Sequence, residues 1–168
     1  MDSAEFTGLV VPVHEADRLV RARAPQTGAH VTLLAPFADP DVIDEGVVDE
    51  LERFFGDVTP FPFTLAEVCQ FPGGTAYLAP EPAAVFRRLT AGLHRLFPEL
   101  PPYGGRFDDV VPHLTVPGAE EVPLERLRAE LAGEIPLQAR ATRAELVVGT
   151  TTTVRETLAT FRFGVAAA

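Results

Sequence analysis

Two short stretches, AHVTLLAPF at residues 29–37 and PHLTVPG at residues 112–118, share one pattern and decide the fold. In each stretch, a histidine is followed by an apolar residue, a threonine and a second apolar residue. This alternation has a period of two and predicts a strand buried on one face, because successive side chains on a strand point to opposite sides. The histidine and the threonine of each motif therefore share the face that points away from the core.

The paired motifs each place an ionisable group beside a hydroxyl. His30 and Thr32 belong to the first motif, and His113 and Thr115 belong to the second. Histidine titrates near neutral pH, so two of them can supply an acid and a base, while threonine hydroxyls can donate hydrogen bonds. If the two strands face each other, these four side chains are the candidate catalytic site.

The order of predicted elements repeats with an offset of 83 residues, close to half of the 168-residue chain. Each half contains a motif strand, then a helix, then further strands. The repeat predicts a single α+β domain spanning residues 1–168, with two lobes related by a pseudo-twofold axis. Two antiparallel sheets with flanking helices then surround a central cleft. The lobe halves are roughly residues 1–97 and 106–168, and the exchange of strands between them stays open.

Local signals set the expected elements. We expect a helix that begins at Asp39-Pro40, an N-cap residue followed by proline, and ends near Phe55. The run PELPPYGG at Pro98–Gly105 is predicted to be a rigid connector between the lobes. One closing strand is expected over Glu134–Gly149. The remaining predicted elements are strands at 6–13, 61–71, 75–79 and 157–163 and helices at 15–24, 82–97 and 122–133.

The charge balance restricts the partners. The chain carries 24 acidic and 14 basic residues, a net charge of −10. Long nucleic acids bind through basic surfaces that release counterions, so no extended nucleic-acid groove is expected. A small phosphorylated substrate held by local contacts remains compatible with this charge.

Other features favour a cytoplasmic protein. The single cysteine, Cys69, excludes an internal disulfide. The N-terminal stretch MDSAEFTGLVVPV has no basic region and too short an apolar run for a signal peptide. No window of the sequence approaches the length of a membrane span, so no membrane partner is expected. We expect a monomer in the cytoplasm.

These motifs resemble those of the two-histidine (2H) phosphoesterases, which include the bacterial RNA 2′,3′-cyclic phosphodiesterases, also called 2′-5′ RNA ligases. The family signature is two copies of His-apolar-Thr/Ser-apolar in a bilobal α+β fold. The chain carries both copies, and the resemblance extends over nearly its whole length, to Pro36-Phe37, Tyr77-Leu78, Phe107 and Pro112. It departs at Val116–Ala119, where RNA-processing members often carry a basic residue.

The resemblance implies a cyclic phosphodiesterase that needs neither a metal nor a cofactor. Its substrate would be a small nucleotide or an RNA end carrying a 2′,3′-cyclic phosphate, and 2′-5′ ligation would be the reverse reaction. His30 would be the general acid and His113 the general base, although the pseudo-symmetry lets these roles exchange. Thr32 and Thr115 would bind the phosphoryl oxygens.

A negatively charged phosphate is favourably bound by a cation, and a nucleobase is favourably bound by an aromatic ring that stacks on it. The candidate substrate contacts are Arg23, Tyr77, Arg106, Arg143 and Arg155, which lie near the motifs or on the closing strands. For each arginine taken singly, a solvated surface position is the simpler interpretation. For Tyr77, a position in the core and a role in stacking on a nucleobase are equally good interpretations.

Three alternatives stay open. The first is a nucleotide- or RNA-end-binding module that keeps the fold with weak or no turnover. The second is a purely structural role for both motifs, which the outward phase of the histidines disfavours. The third is a metal site, which the four histidines disfavour because they lack close ligand spacing. His14 and His94 have no matching threonine and are interpreted as incidental.

Overall fold

A computed structural model of the chain describes residues 5–105, 110–150 and 154–165. Within these residues, eight antiparallel strands form one sheet, and four α-helices accompany it. The strands are β1 (Phe6–Pro12), β2 (His30–Leu34), β3 (Phe61–Gln70), β4 (Ala76–Glu81), β5 (Leu114–Val116), β6 (Leu137–Ala141), β7 (Arg143–Gly149) and β8 (Val154–Arg162). The helices are α1 (Asp17–Arg21), α2 (Glu45–Gly56), α3 (Ala83–Leu96) and α4 (Leu124–Leu131), and short 3-10 turns span His14–Ala16, Pro40–Val42 and Pro102–Gly105.

The strand order β6-β3-β4-β5-β2-β1-β7-β8 places the two motif strands side by side at the centre of the sheet. Counted outward from this centre, β2 corresponds to β5, β1 to β4, β7 to β3 and β8 to β6. The α+β class and the two-lobed, pseudo-twofold arrangement around a cleft are confirmed. The two expected sheets are the halves of one curled sheet, because β2 and β5 pair at Val31 and Leu114.

Strands from both parts of the chain build each half of the sheet. The late strands β7 and β8 continue from β1, and the late strand β6 pairs with β3. The sheet therefore does not divide between residues 97 and 106. This exchange brings the chain across the molecule twice and ties the two lobes together.

The core lies on the sheet face opposite the motif histidines. Val31, Leu33 and Leu114 are at most 1% exposed. Helix α3 packs on β2, where the hydroxyl of Thr90 donates a 2.7 Å hydrogen bond to the carbonyl of Leu33. Burying such side chains contributes roughly 1.5–3 kcal/mol each, which is enough to fix the strand phase that turns the histidines outward.

The helix expected from Asp39 begins later than predicted. Asp39 caps only the turn Pro40–Val42, by accepting a 3.0 Å hydrogen bond from the amide of Asp41. Ile43 is extended and ends this turn. Asp44 is the N-cap of α2, because its carboxylate accepts a 3.0 Å bond from the amide of Val47. The sequence thus contains two capping aspartates five residues apart. The prediction placed the start of the helix at the first, whereas α2 starts at the second.

The closing run Glu134–Gly149 is two strands and not one. The chain leaves the ladder at Thr142, between β6 and β7. β6 pairs with β3 in one half of the sheet, while β7 pairs with β1 and β8 in the other. Continuous β propensity on both sides of Thr142 concealed this crossing between the lobes.

Candidate active site

The register of the two motif strands brings all four candidate side chains together. Val31 lies directly opposite Leu114 on antiparallel strands. One step along each strand, His30 is therefore beside Thr115, and Thr32 is beside His113. Their side chains line one cavity of about 700 Å³. Each histidine is thus next to the threonine of the other motif.

Both histidines are held in the same tautomer by equivalent bonds. Nδ1 of His30 lies 3.0 Å from the carbonyl oxygen of Gly28, and Nδ1 of His113 lies 2.8 Å from that of Val111. A carbonyl can only accept, so each Nδ1 carries the proton and donates. In the neutral rings, Nε2 then holds the lone pair and is the atom that can take up or release a proton.

Burial sets the charge of both imidazoles. It lowers the pKa of His30 and the pKa of His113 below the ordinary value, because the charged form is poorly solvated in the cavity. The carbonyl acceptors of Gly28 and Val111 raise each pKa in part. The two rings differ in two respects: the positive charge of a protonated His113 lowers the pKa of His30, and Glu145 raises it by a smaller effect. His30 is therefore the ring with a carboxylate to stabilise its protonated form.

Aromatic rings surround His113. Phe71 and Tyr77 stand edge-on to it, with ring centroids 5.1 and 5.7 Å away. These two rings stack on each other at 4.2 Å. Tyr77 lies opposite Thr115 on β4, and it does not line the cavity. Its position fits a support for His113 better than a base-stacking partner.

Arg23 lines the cavity but is already paired. Its guanidinium donates a 2.7 Å hydrogen bond to the carboxylate of Glu130 on α4. Among the described lining residues it is the one arginine. A bound phosphate would compete with Glu130 for it.

The other arginines lie outside the cavity lining or outside the described residues. Arg143 donates to Glu145 at 3.2 Å and lies 2.6 Å from Nε2 of His14. Arg155 is exposed, pairs with Glu5 at 2.6 Å and is not among the described residues that line the cavity, so its role as a substrate contact stays a prediction. Arg106 lies in the stretch 106–109, outside the described residues, as does Phe107 of the family resemblance.

His14 is less incidental than its sequence context suggested. Besides its contact with Arg143, its Nδ1 lies 3.0 Å from the carboxylate of Asp17. The same carboxylate accepts a 2.8 Å bond from the amide of Ala29, the residue before His30. His14 thus belongs to a polar chain at the rim of the first motif strand.

Sequence reasoning missed several residues of the cavity wall. Tyr103 and Gly104 enter it from the PELPPYGG connector, and Glu120 enters it from the loop after the second motif. The apolar floor was missed as well, and it includes Gly8 and Val10 of β1. The strand predicted at 6–13 was the available signal for the floor, because alternate residues of a strand share a face. Tyr103 lies among turn-forming residues that have no periodicity.

No group of three or more His, Cys, Asp or Glu side chains in residues 5–105, 110–150 and 154–165 is placed to hold a metal ion. In the same ranges, no helix combines the length and apolarity that crossing a bilayer requires.

Comparison with known proteins gives a consistent result. The model of the 2′-5′ RNA ligase superfamily matches residues 7–153. No curated protein sequence matches the chain significantly. Among solved structures, TT0787 of Thermus thermophilus is similar with a TM-score of 0.63 at 21% identity, over 94% of this chain and 97% of that one.

Escherichia coli LigT is also similar. Its complex with 3′-AMP gives a TM-score of 0.59 at 17% identity, over 95% of this chain and 98% of LigT. Its complex with NADP+ gives 0.60 at 14% identity, over 96% and 99%. At these identities the likeness shows a shared fold.

Proposed function

Because this chain belongs to the 2′-5′ RNA ligase superfamily of two-histidine phosphoesterases, we propose that it hydrolyses a 2′,3′-cyclic phosphate or a related small nucleotide phosphoester. The observation that carries the proposal is the convergence of His30, Thr32, His113 and Thr115 on one cavity. Each imidazole has its Nε2 available for proton transfer, and the two hydroxyls can donate hydrogen bonds to a phosphoryl group. Together they supply the acid, the base and the hydrogen-bond donors that phosphoester hydrolysis requires. The superfamily membership supports this class of chemistry over a structural role for the motifs.

The proposed reaction divides the proton transfers between the histidines. Nε2 of neutral His113 takes a proton from water, and the water oxygen attacks phosphorus. The bond from phosphorus to one ribose oxygen breaks, and protonated His30 gives its proton to that oxygen. The product is a nucleoside monophosphate. Each such proton transfer contributes typically ~10²–10⁴-fold to the rate.

The environment of each ring supports this assignment. A protonated His113 would lower the pKa of His30, but a neutral His113 acting as the base has no such effect. Glu145 then raises the pKa of His30 and favours the protonated form that an acid requires. For His113 the carbonyl of Val111 is the one group that raises the pKa, and burial outweighs it. A neutral ring among aromatic neighbours suits a base. A substrate bound in the opposite orientation would exchange the two roles.

Hydrogen bonds stabilise the phosphoryl oxygens in this proposal. The hydroxyls of Thr32 and Thr115 donate hydrogen bonds to the two nonbridging oxygens, where negative charge accumulates in the transition state. The four side chains supply every group that the reaction needs, so we propose that it proceeds without a metal or a cofactor. With a ribose 5′-hydroxyl in place of water as the nucleophile, the same step would break the bond from phosphorus to O3′, protonate O3′ and form a 2′-5′ linkage.

The substrate is proposed to be a small nucleotide or the end of an RNA. LigT, which shares the fold, has been solved with 3′-AMP and with NADP+. The net charge of −10 and the pairing of Arg23 with Glu130 disfavour extended contacts with a phosphate backbone. We further propose a cytoplasmic monomer, because the sequence has one cysteine and its length suits a single core.

A second candidate is a nucleotide-end-binding module with weak turnover. The specific observation in its favour is that burial lowers the pKa of both histidines, which disfavours the protonated acid, while the lining arginine is already paired. Such a site would bind a phosphate through its hydroxyls and protonate it slowly.

Phosphorus NMR of a 2′,3′-cyclic nucleotide mixed with the protein in EDTA distinguishes these two candidates. The proposal expects the cyclic phosphate signal to be replaced by one monophosphate isomer, because one acid protonates one ribose oxygen. Activity that disappears on chelation and returns with zinc would replace the metal-free mechanism with a metal-assisted one. Binding without turnover would favour the module.

A further inference from the structure

The loop before the second motif ends in a backbone conformation that favours glycine. Tyr103, Gly104 and Gly105 have φ angles of 52°, 65° and 77° in succession. Glycine adopts this left-handed region freely, whereas for a residue with a Cβ it costs on the order of 1 kcal/mol or more. Within the described residues, Tyr103 is the one non-glycine residue with a positive φ.

The backbone of this loop does not explain why the residue is a tyrosine. The amide of Tyr103 donates a 2.7 Å hydrogen bond to the carbonyl of Ala35, just past the first motif strand. A glycine at position 103 would make the same bond and would remove the cost of the left-handed conformation. The reason for a tyrosine therefore lies in what its ring contacts, since strained residues of this kind cluster at functional sites.

The ring of Tyr103 forms part of the cavity wall between the two motifs. It lies nearly parallel to the imidazole of His113, with an interplanar angle of 26° and centroids 6.4 Å apart. Burial raises the pKa of the phenol, so the ring stays neutral. His113 is already supported outside the cavity lining by Phe71 and Tyr77. Tyr103 differs from those two rings because it is itself part of the cavity lining.

The cavity beyond the phosphate-binding groups is apolar and open. Gly8 lies opposite Val147 on the floor, and Val10 occupies the position beside Thr32 that Tyr77 occupies beside Thr115. Gly8 and Val10 therefore leave space beside Thr32. The equivalent region beside Thr115 is filled by the stacked rings of Phe71 and Tyr77. The cavity of about 700 Å³ exceeds what a phosphate group alone would fill.

We propose that Tyr103 is a specificity-determining residue whose ring packs against the planar group attached to the phosphate, the nucleobase of a nucleotide. The inference rests on the proposed function, and it adds the substrate class: a phosphoester with a neutral planar substituent. The apolar floor excludes water from the other side of that substituent. Inorganic phosphate would bind at the four motif side chains without using Tyr103.

Calorimetric titration of two probes, inorganic phosphate and adenosine 3′-monophosphate, tests this assignment. Tyr103→Gly removes the ring and suits the left-handed backbone, so the variant is expected to fold. It should weaken adenosine 3′-monophosphate binding by about 5- to 150-fold, the range for loss of one base–aromatic stack. Phosphate binding should stay within about twofold of wild type. Tyr103→Phe should behave as wild type with both probes.

Tyr77→Leu is the matched control, because it removes a neighbour of His113 that does not line the cavity. Any effect it has should be the same for the two probes. Equal weakening of both probes by Tyr103→Gly would overturn the proposal and make Tyr103 a positioning residue for His113. Unchanged binding of both would overturn it too, as would a wild-type protein that binds neither probe.

The outcomes separate this inference from the proposed hydrolysis. A protein that hydrolyses cyclic nucleotides but binds adenosine 3′-monophosphate independently of Tyr103 contradicts the inference alone. A protein that never turns over but binds that nucleotide through Tyr103 contradicts the hydrolase proposal alone.

Discussion

Val31 of the first motif lies directly opposite Leu114 of the second, and this single pairing joins the two halves of the sheet. Both side chains are fully buried. The residue between the histidine and the threonine in each motif is thus the one that sets the register. The arrangement of the four cavity-facing groups follows from backbone pairing and core packing, which are in place before any substrate binds.

The hydroxyls of Thr32 and Thr115 are each expected to contribute measurably to kcat/KM. Each Thr→Val change removes one hydrogen bond to a charged phosphoryl oxygen and keeps a β-branched residue that suits a strand. We expect kcat/KM to fall about 10- to 150-fold for each, from a bond of roughly 1.5–3 kcal/mol. Steady-state hydrolysis of a cyclic nucleotide measures this.

Thr157→Val is the control, because Thr157 is exposed on β8 and does not line the cavity. It should leave kcat/KM at the wild-type value. If Thr32→Val and Thr115→Val matched that control, phosphate binding by the hydroxyls would be wrong.

The pH dependence of kcat/KM is expected to be a bell centred on the acid side of neutrality. Burial lowers the pKa of both His30 and His113 in the free protein. The ordinary pKa is about 6.5, so both limbs of the bell, and the optimum between them, lie below that value. A bound phosphate anion favours the protonated ring, so the kcat profile should lie at higher pH than the kcat/KM profile. An optimum above about 7 for kcat/KM would contradict this account of the site.

Glu145→Gln tests which histidine is the acid. The carboxylate raises the pKa of His30, so its removal lowers that pKa further. If His30 is the acid, the alkaline limb of the bell moves to lower pH while the acid limb stays in place. Movement of the acid limb instead would exchange the two roles.

Substrate length and salt should have little effect on the reaction. The net charge of −10 repels a polyanion, and the lining arginine of the described cavity is paired with Glu130. A cyclic mononucleotide should be processed about as well as a long RNA with the same end. Binding that neutralises many phosphates would lose affinity steeply with salt, by a slope of roughly 0.9 per contact on a duplex. Tight binding to long RNA with such a slope would disprove the small-substrate proposal.

The sequence was most informative where a periodic pattern met a buried face. Alternation around His30 and His113 predicted both motif strands and the face on which the histidines lie. The repeat predicted two lobes around a cleft. These features follow from core packing, which a single sequence records as the spacing of apolar residues.

Features that depend on long-range geometry could not be predicted. Thr142 marks a crossing between lobes that local β propensity does not show. The pairing of Arg23 with Glu130 joins residues 107 positions apart. Tyr103 lies between prolines and glycines, a composition that predicts a turn but not the direction of a ring. The lowered pKa of each histidine depends on burial, which only the folded chain defines.

The most direct test of the paired-histidine site is kcat/KM for a 2′,3′-cyclic nucleotide in His30→Ala, His113→Ala and the double variant, with His94→Ala on α3 as the control. Each single change should reduce the rate about 10²–10⁴-fold, and the double change should cost little more, because the pair acts as a unit. All variants should fold, since both rings face the cavity and not the core. A folded double variant that hydrolysed the cyclic nucleotide at the wild-type rate would contradict the account.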